Sequence, residues 1–149
     1  MNAKELKTYW SFQYQKNFGK PYPVQKDKFI VEQMLLKKLL EKYDKYLILE
    51  AIDKVLSTKN PQFSTISLFA SSNFFSRYFR DLIRLSPILK YRRFMQAFPS
   101  DLKDRAYALV DEYMDYSSSE ILNDEERVRK QEIPQLLEEM TKDFFKEMD

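Results

Sequence analysis

The chain has 149 residues, 44% hydrophobic and 32% charged, with a formal net charge of +2, a size at which one domain buries about 70% of its unfolded surface without a covalent staple. It contains no His, no Cys and a single Gly. Those counts exclude a disulfide framework, a zinc finger, a catalytic thiol, a Ser-His-Asp triad, haem-type ligation and any glycine-rich phosphate loop.

Helix signals then follow one another along the chain, and there is no Asn-Gly or Asp-Gly hairpin pair. The first helix is predicted to start at Asn2, with Glu5 at capping-box spacing, and to carry Leu6, Tyr9, Trp10 and Phe12 toward Phe18. Gly19 stops it, and Lys20, Pro21, Tyr22 and Pro23 make a stiff extended connector, because proline fixes its own φ and drives the preceding residue out of the helical region. A second helix is predicted over residues 25–42, with Phe29, Ile30, Met34, Leu36, Leu39, Leu40 and Tyr43 as its core face. A third, over residues 44–57, opens on an acidic cap and buries Leu47, Ile48, Ala51, Ile52, Val55 and Leu56.

Beyond Asn60 and Pro61 the elements shorten. Ser64 is expected to cap one turn holding Ile66, Leu68 and Phe69, and Ser72 to cap a helix over residues 73–85 that Ser86 and Pro87 close. Further helices are predicted over residues 88–98 and, capped by Ser100, over 101–116. The last segment, 120–147, starts from Asn123 and the acidic run Asp124, Glu125 and Glu126, and Pro134 is expected to kink or split it. The predicted architecture is all-α: a single-domain bundle of five to seven helices, with a basic, aromatic-rich body over residues 1–118 and an acidic C-terminal helical segment over 119–149.

The small net charge conceals a division. Residues 1–100 hold 18 Lys and Arg against 8 Asp and Glu, or +10, whereas 101–149 hold 7 against 15, or −8. An anionic partner for the first part and a different contact for the second follow from that asymmetry. The N-terminus lacks the apolar run of a signal peptide, and the apolar stretches at 46–52 and 66–75 are interrupted and too short to span a bilayer. A cytoplasmic protein without a membrane partner, cofactor or metal is therefore expected.

The main functional candidate is the basic cluster Arg77, Arg80, Arg84, Lys90, Arg92 and Arg93, opposed by Asp81 alone. Arg77, Arg80 and Arg84 recur at i, i+3 and i+7, which on one helix gives an arginine row beside aromatics, suited to gripping phosphates and stacking on bases. The competing reading is a solvated face with an internal Arg77 to Asp81 pair. Lys16, Lys20, Lys26 and Lys28 flank the connector with Phe18 and Tyr22, aromatics that could stack bases but more often staple two helices together. In the last segment the apolar stripe containing Ile133, Leu137, Met140 and Phe144 either packs on its own body or docks on a partner protein. The acids Asp111, Glu112 and Asp115, like Asp124, Glu125 and Glu126, read as exposed faces or dipole-matched first turns, so no enzyme is expected.

The series Trp10, Phe12, Phe18-Gly19, Tyr22 and Lys26-Asp27, followed by a leucine-rich helix ending Glu41-Lys42-Tyr43, by Ala51-Ile52-Asp53 and by a Phe-rich helix, resembles small helical bacteriophage proteins. The aromatic pattern over residues 27–43 is similar to the phage helicase-loader proteins, and the likeness covers about the first 85 residues. That resemblance implies an all-helical replication accessory that binds forked or single-stranded DNA and contacts a replicative helicase, in the cytoplasm of the host cell. The alternative reading is an inhibitor or adaptor that attaches to a host or phage enzyme through the acidic tail.

Overall fold

A computed structural model describes residues 1–23 and 26–148. The protein is all-helical: among the described residues there are nine α-helices and one short 3-10 turn, with no strand. They gather into two compact units, Met1–Ile83 and Arg84–Asp149. The expected boundary at 118/119 therefore falls inside the second unit, because the last helix packs against the helix before it.

The first unit opens with α1 (Ala3–Phe18). The Asn2 side chain accepts from the Glu5 N–H at 2.9 Å while the Glu5 carboxylate accepts from the Asn2 N–H at 3.2 Å, which satisfies two donors that a helix start leaves open. Gly19 ends it at φ 72°, a left-handed conformation that glycine adopts without strain. The predicted start of the second helix at Gln25 lies outside the described residues; the observed α2 is Phe29–Lys42. Helix α3 (Lys45–Ser57) is capped by Asp44, as its sequence indicates.

In α2 the inward face is the expected one only at its C-terminal end. Phe29, Ile30 and Met34 are exposed, and the side that turns inward carries Leu36, Leu39 and the carboxylate of Glu32. The physical reason is a polar latch. Tyr22, at the end of the connector, donates its hydroxyl to Glu32 Oε2 at 2.7 Å and accepts from the Ile66 N–H at 3.0 Å, and Lys7 lies 3.6 Å from the other carboxylate oxygen. A buried carboxylate with such partners stays in the core, and it fixes which side of the helix faces inward.

Three short helices complete the unit: α4 (Ile66–Phe69), α5 (Ser72–Tyr78) and α6 (Arg80–Arg84), whose last residue falls in the second unit. Thr65, not Ser64, caps α4, since its hydroxyl accepts from the Leu68 N–H. Ser64 is buried and donates instead to the Asn60 carbonyl. The single helix expected over 73–85 is interrupted at Phe79, where ψ turns to 23°, and the fully buried Phe79 ring packs against Phe69, Phe74 and Phe75. This interruption is one reason the helices outnumber the five to seven expected. The core centres on Trp10, Phe69, Phe75 and Phe79, with Leu6, Leu36, Ile48 and Ile52 around them.

The second unit is built from α7 (Ser86–Arg93), the 3-10 turn Met95–Ala97, α8 (Ser100–Ser118) and α9 (Asp124–Met148). Asn123 and Glu126 form a second reciprocal cap. Helix α9 runs unbroken through Pro134, contrary to a split, although proline removes the amide that would bond the Lys130 carbonyl. Ile133 and Leu137 are fully buried in a core with Ile88, Tyr91, Ala106, Val110 and Tyr113, and Met140, Phe144 and Phe145 pack against it. Of the four residues expected as partner contacts, Ile133 and Leu137 thus belong to this unit's own interior, and Met140 and Phe144 pack on it while keeping part of their surface exposed. A 25-residue helix with a narrow apolar stripe meets its need for burial by closing its own bundle, so the partner-contact assignment for these residues is withdrawn. Among the described residues no helix is long and apolar enough to cross a membrane.

Candidate nucleic-acid interface

The six basic residues singled out by sequence do not share one helix. Arg77 sits on α5 and Arg80 opens α6 in the first unit, whereas Arg84, Lys90, Arg92 and Arg93 belong to the second. Lys90 is half-buried with its ammonium 4.1 Å from the Phe145 ring centroid, where it covers the end of α9. Arg93 is likewise half-buried and engaged within the protein. Arg77, Arg80, Arg84 and Arg92 are exposed. Among the described residues no ion pair joins Arg77 to Asp81. One i,i+4 pair on a solvated surface is worth only a few tenths of a kcal/mol, too little to hold two mobile side chains together.

Around Arg77 the first unit has an open cleft of about 380 Å³ lined by Asn73, Phe74, Arg77 and Tyr78. Helical spacing places these residues there, because 73, 74, 77 and 78 recur at three- and four-residue steps on α5. Phe74 and Tyr78 stack at 4.9 Å with 15° between their planes, and Phe63 packs on both at 5.8 and 5.7 Å. All three rings are half-buried, so an aromatic ledge keeps part of its surface open beside the exposed Arg77 guanidinium, which has no ion pair among the described residues. Chemically the cleft offers a planar cation, π-surface and one side-chain amide that both donates and accepts.

Asn73, Phe74 and Tyr78 line the cleft but are not among the basic residues that the sequence singles out. The signal that could have found them is the arginine flanked at −4, −3 and +1 by an amide and two aromatics, a pattern indistinguishable in sequence from a core stripe. The connector aromatics have the opposite fate. Phe18 stacks on Tyr14 at 4.4 Å and Tyr22 packs edge-on to Trp10 and Tyr14 while its hydroxyl serves the latch. Burial, with Glu32 alongside, pushes the Tyr22 phenol well above its usual range even though the Ile66 amide works against that shift, so the phenol stays protonated and keeps donating. Those rings staple the unit through these contacts, while Lys16, Lys20, Lys26 and Lys28 remain exposed.

In the second unit Arg129 grips Glu112 through Nε at 2.7 Å and Nη2 at 3.2 Å, clamping α9 to α8. Hydrogen bonds from Arg129, aided by Tyr116, hold the Glu112 carboxyl below its ordinary value. Among the described residues no three acids converge as a metal-binding group. No family model, curated protein or solved structure matches the chain.

Proposed function

We propose that the protein is a non-enzymatic nucleic-acid-binding accessory factor that holds unpaired DNA in the α5 cleft. The observation that carries this reading is the exposed Arg77 beside the Phe63, Phe74 and Tyr78 ledge, on an open cleft of about 380 Å³. Arginine supplies charge for a phosphate and a plane for stacking; aromatic rings stack any base, so sequence preference is weak and single strands are favoured over duplex. Arg80, exposed at the start of α6, adds a positive charge to the same unit. The resemblance to phage helicase loaders makes a forked or single-stranded replication intermediate in the host cytoplasm the natural ligand and a replicative helicase the natural second partner.

Fluorescence anisotropy against single-stranded, forked and duplex DNA at two salt concentrations tests this. Single strands should bind best, and log affinity should fall with log salt at about −0.7 per neutralised phosphate. Arg77→Glu should abolish binding and Tyr78→Ala should weaken it, with the helical spectrum unchanged. Absence of binding at low salt, or an Arg77→Glu variant that binds like the parent, removes the reading.

A further inference from the structure

Two outward helix faces, one in each unit, are complementary in charge and both carry exposed apolar side chains. On α2, Ile30 and Met34 are 69% and 55% exposed and lie one turn apart, with Val31 beside them. The next turn of that face carries Lys37 and Lys38, and Lys28 and Lys26 stand before it; all four are exposed, and Asp27 and Glu41 are the only acids among them. No ion pair engages these lysines among the described residues. On α8, Asp104, Asp111 and Asp115 lie at i, i+7 and i+11 along the side opposite the buried Ala106, Val110 and Tyr113. Tyr107, 61% exposed, and Met114 border the same face at a seven-residue interval, and the three aspartates are likewise without an ion pair among the described residues.

We infer that the α2 face of one molecule docks on the α8 face of a second copy. Each face is exposed on its own unit. The occupant that fits a lysine-rimmed apolar patch is an acidic helix with apolar residues along its edge, and the chain carries one. Lys37 and Lys38 meet the aspartates while Ile30 and Met34 meet Tyr107 and Met114, which removes apolar surface from water and brings unlike charges together in one step. The same pairing follows the division of charge along the chain, +10 over residues 1–100 and −8 over 101–149. Because the two patches differ, the contact is head-to-tail: every copy offers one of each, and association continues past a dimer unless the geometry closes a ring. Two short helix faces bury less than a standard interface, so the association is weak, rises with concentration and falls with salt.

The test is sedimentation velocity on nuclease-treated full-length protein across a concentration series, at low salt and at about 1 M salt, where the screening length shrinks to about 3 Å. The weight-average mass should climb to at least twice the chain's 18.1 kDa at low salt and return to it at high salt. Met34→Glu/Lys38→Glu and Tyr107→Lys/Asp111→Lys, all at exposed positions, should each stay monomeric. Mixed together they keep one intact face apiece and should associate where neither does alone. A wild-type protein that stays monomeric at the highest concentration overturns the inference whatever the variants do. So does association that survives in both variants, a mixture that does not pair, or a mass increase seen only before nuclease treatment, which would assign the lysine face to nucleic acid.

Discussion

The two units bury carboxylates on opposite terms. In the first, Glu32 sits in the interior between Tyr22 and Lys7, and the connector, α2 and α4 meet through it. In the second, Glu112 meets Arg129 at the rim, and the interior is left to Ile133, Leu137 and aromatic rings. An interior carboxylate specifies which face of a helix turns inward, because leaving it unpaired is costly. A rim pair adds little and leaves the apolar stripe to decide.

The largest effect should come from cutting either interior. Trp10→Ala and Leu137→Ala each remove a fully buried side chain, at a cost of about 3–5 and 2–5 kcal/mol respectively. Hydrogen exchange should show the first loss concentrated in residues 1–83 and the second in 84–149. Tyr22→Phe keeps the ring but leaves the Glu32 carboxylate and the Ile66 amide short of a partner, which should cost about 1–3 kcal/mol in denaturant unfolding. If that variant is as stable as the parent, the latch does not set the inward face of α2. Asn123→Ala removes the cap of α9 and should cost about 1 kcal/mol. The smallest effect belongs to the rim pair: Glu112→Gln should lose under about 1 kcal/mol. Because Glu112 is held below its ordinary value in the fold, its contribution is complete above the unfolded carboxyl value and is lost as pH falls through the lower folded one. Urea midpoints of parent and variant should therefore converge in acid.

Much of the helical framework could be read in the residues. Asn2 with Glu5, Asp44, and Asn123 with Glu126 declare helix starts by local chemistry, and each start is found where that chemistry puts it. The inward face of α2 could be read only at its C-terminal end. Ile30 and Met34 keep helical spacing as well as Leu36 and Leu39 do, and periodicity cannot see that a tyrosine ten residues before Glu32 will anchor an acid inside. The arginine row failed for a related reason: i, i+3 and i+7 describe one face only on a continuous helix, and the chain interrupts it at Phe79. The destination of the C-terminal stripe was open because an amphipathic helix needs a partner without naming one. Here the partner is α7 and α8, so deleting residues 119–149 would hollow out the second unit instead of isolating a contact surface.

Trp10 is the only tryptophan in the chain, fully buried in the first unit, and its indole N–H finds no hydrogen-bond partner among the described residues. Its emission is therefore blue-shifted in the native state and reports on that unit alone. The second unit is spectroscopically quieter: Tyr91, Tyr107, Tyr113 and Tyr116 give it absorbance and near-ultraviolet dichroism but no indole signal. Tryptophan fluorescence thus follows the first half of the molecule without a label, whereas tyrosine signals report on both halves, since Tyr9, Tyr14, Tyr22, Tyr43, Tyr46 and Tyr78 lie in the first.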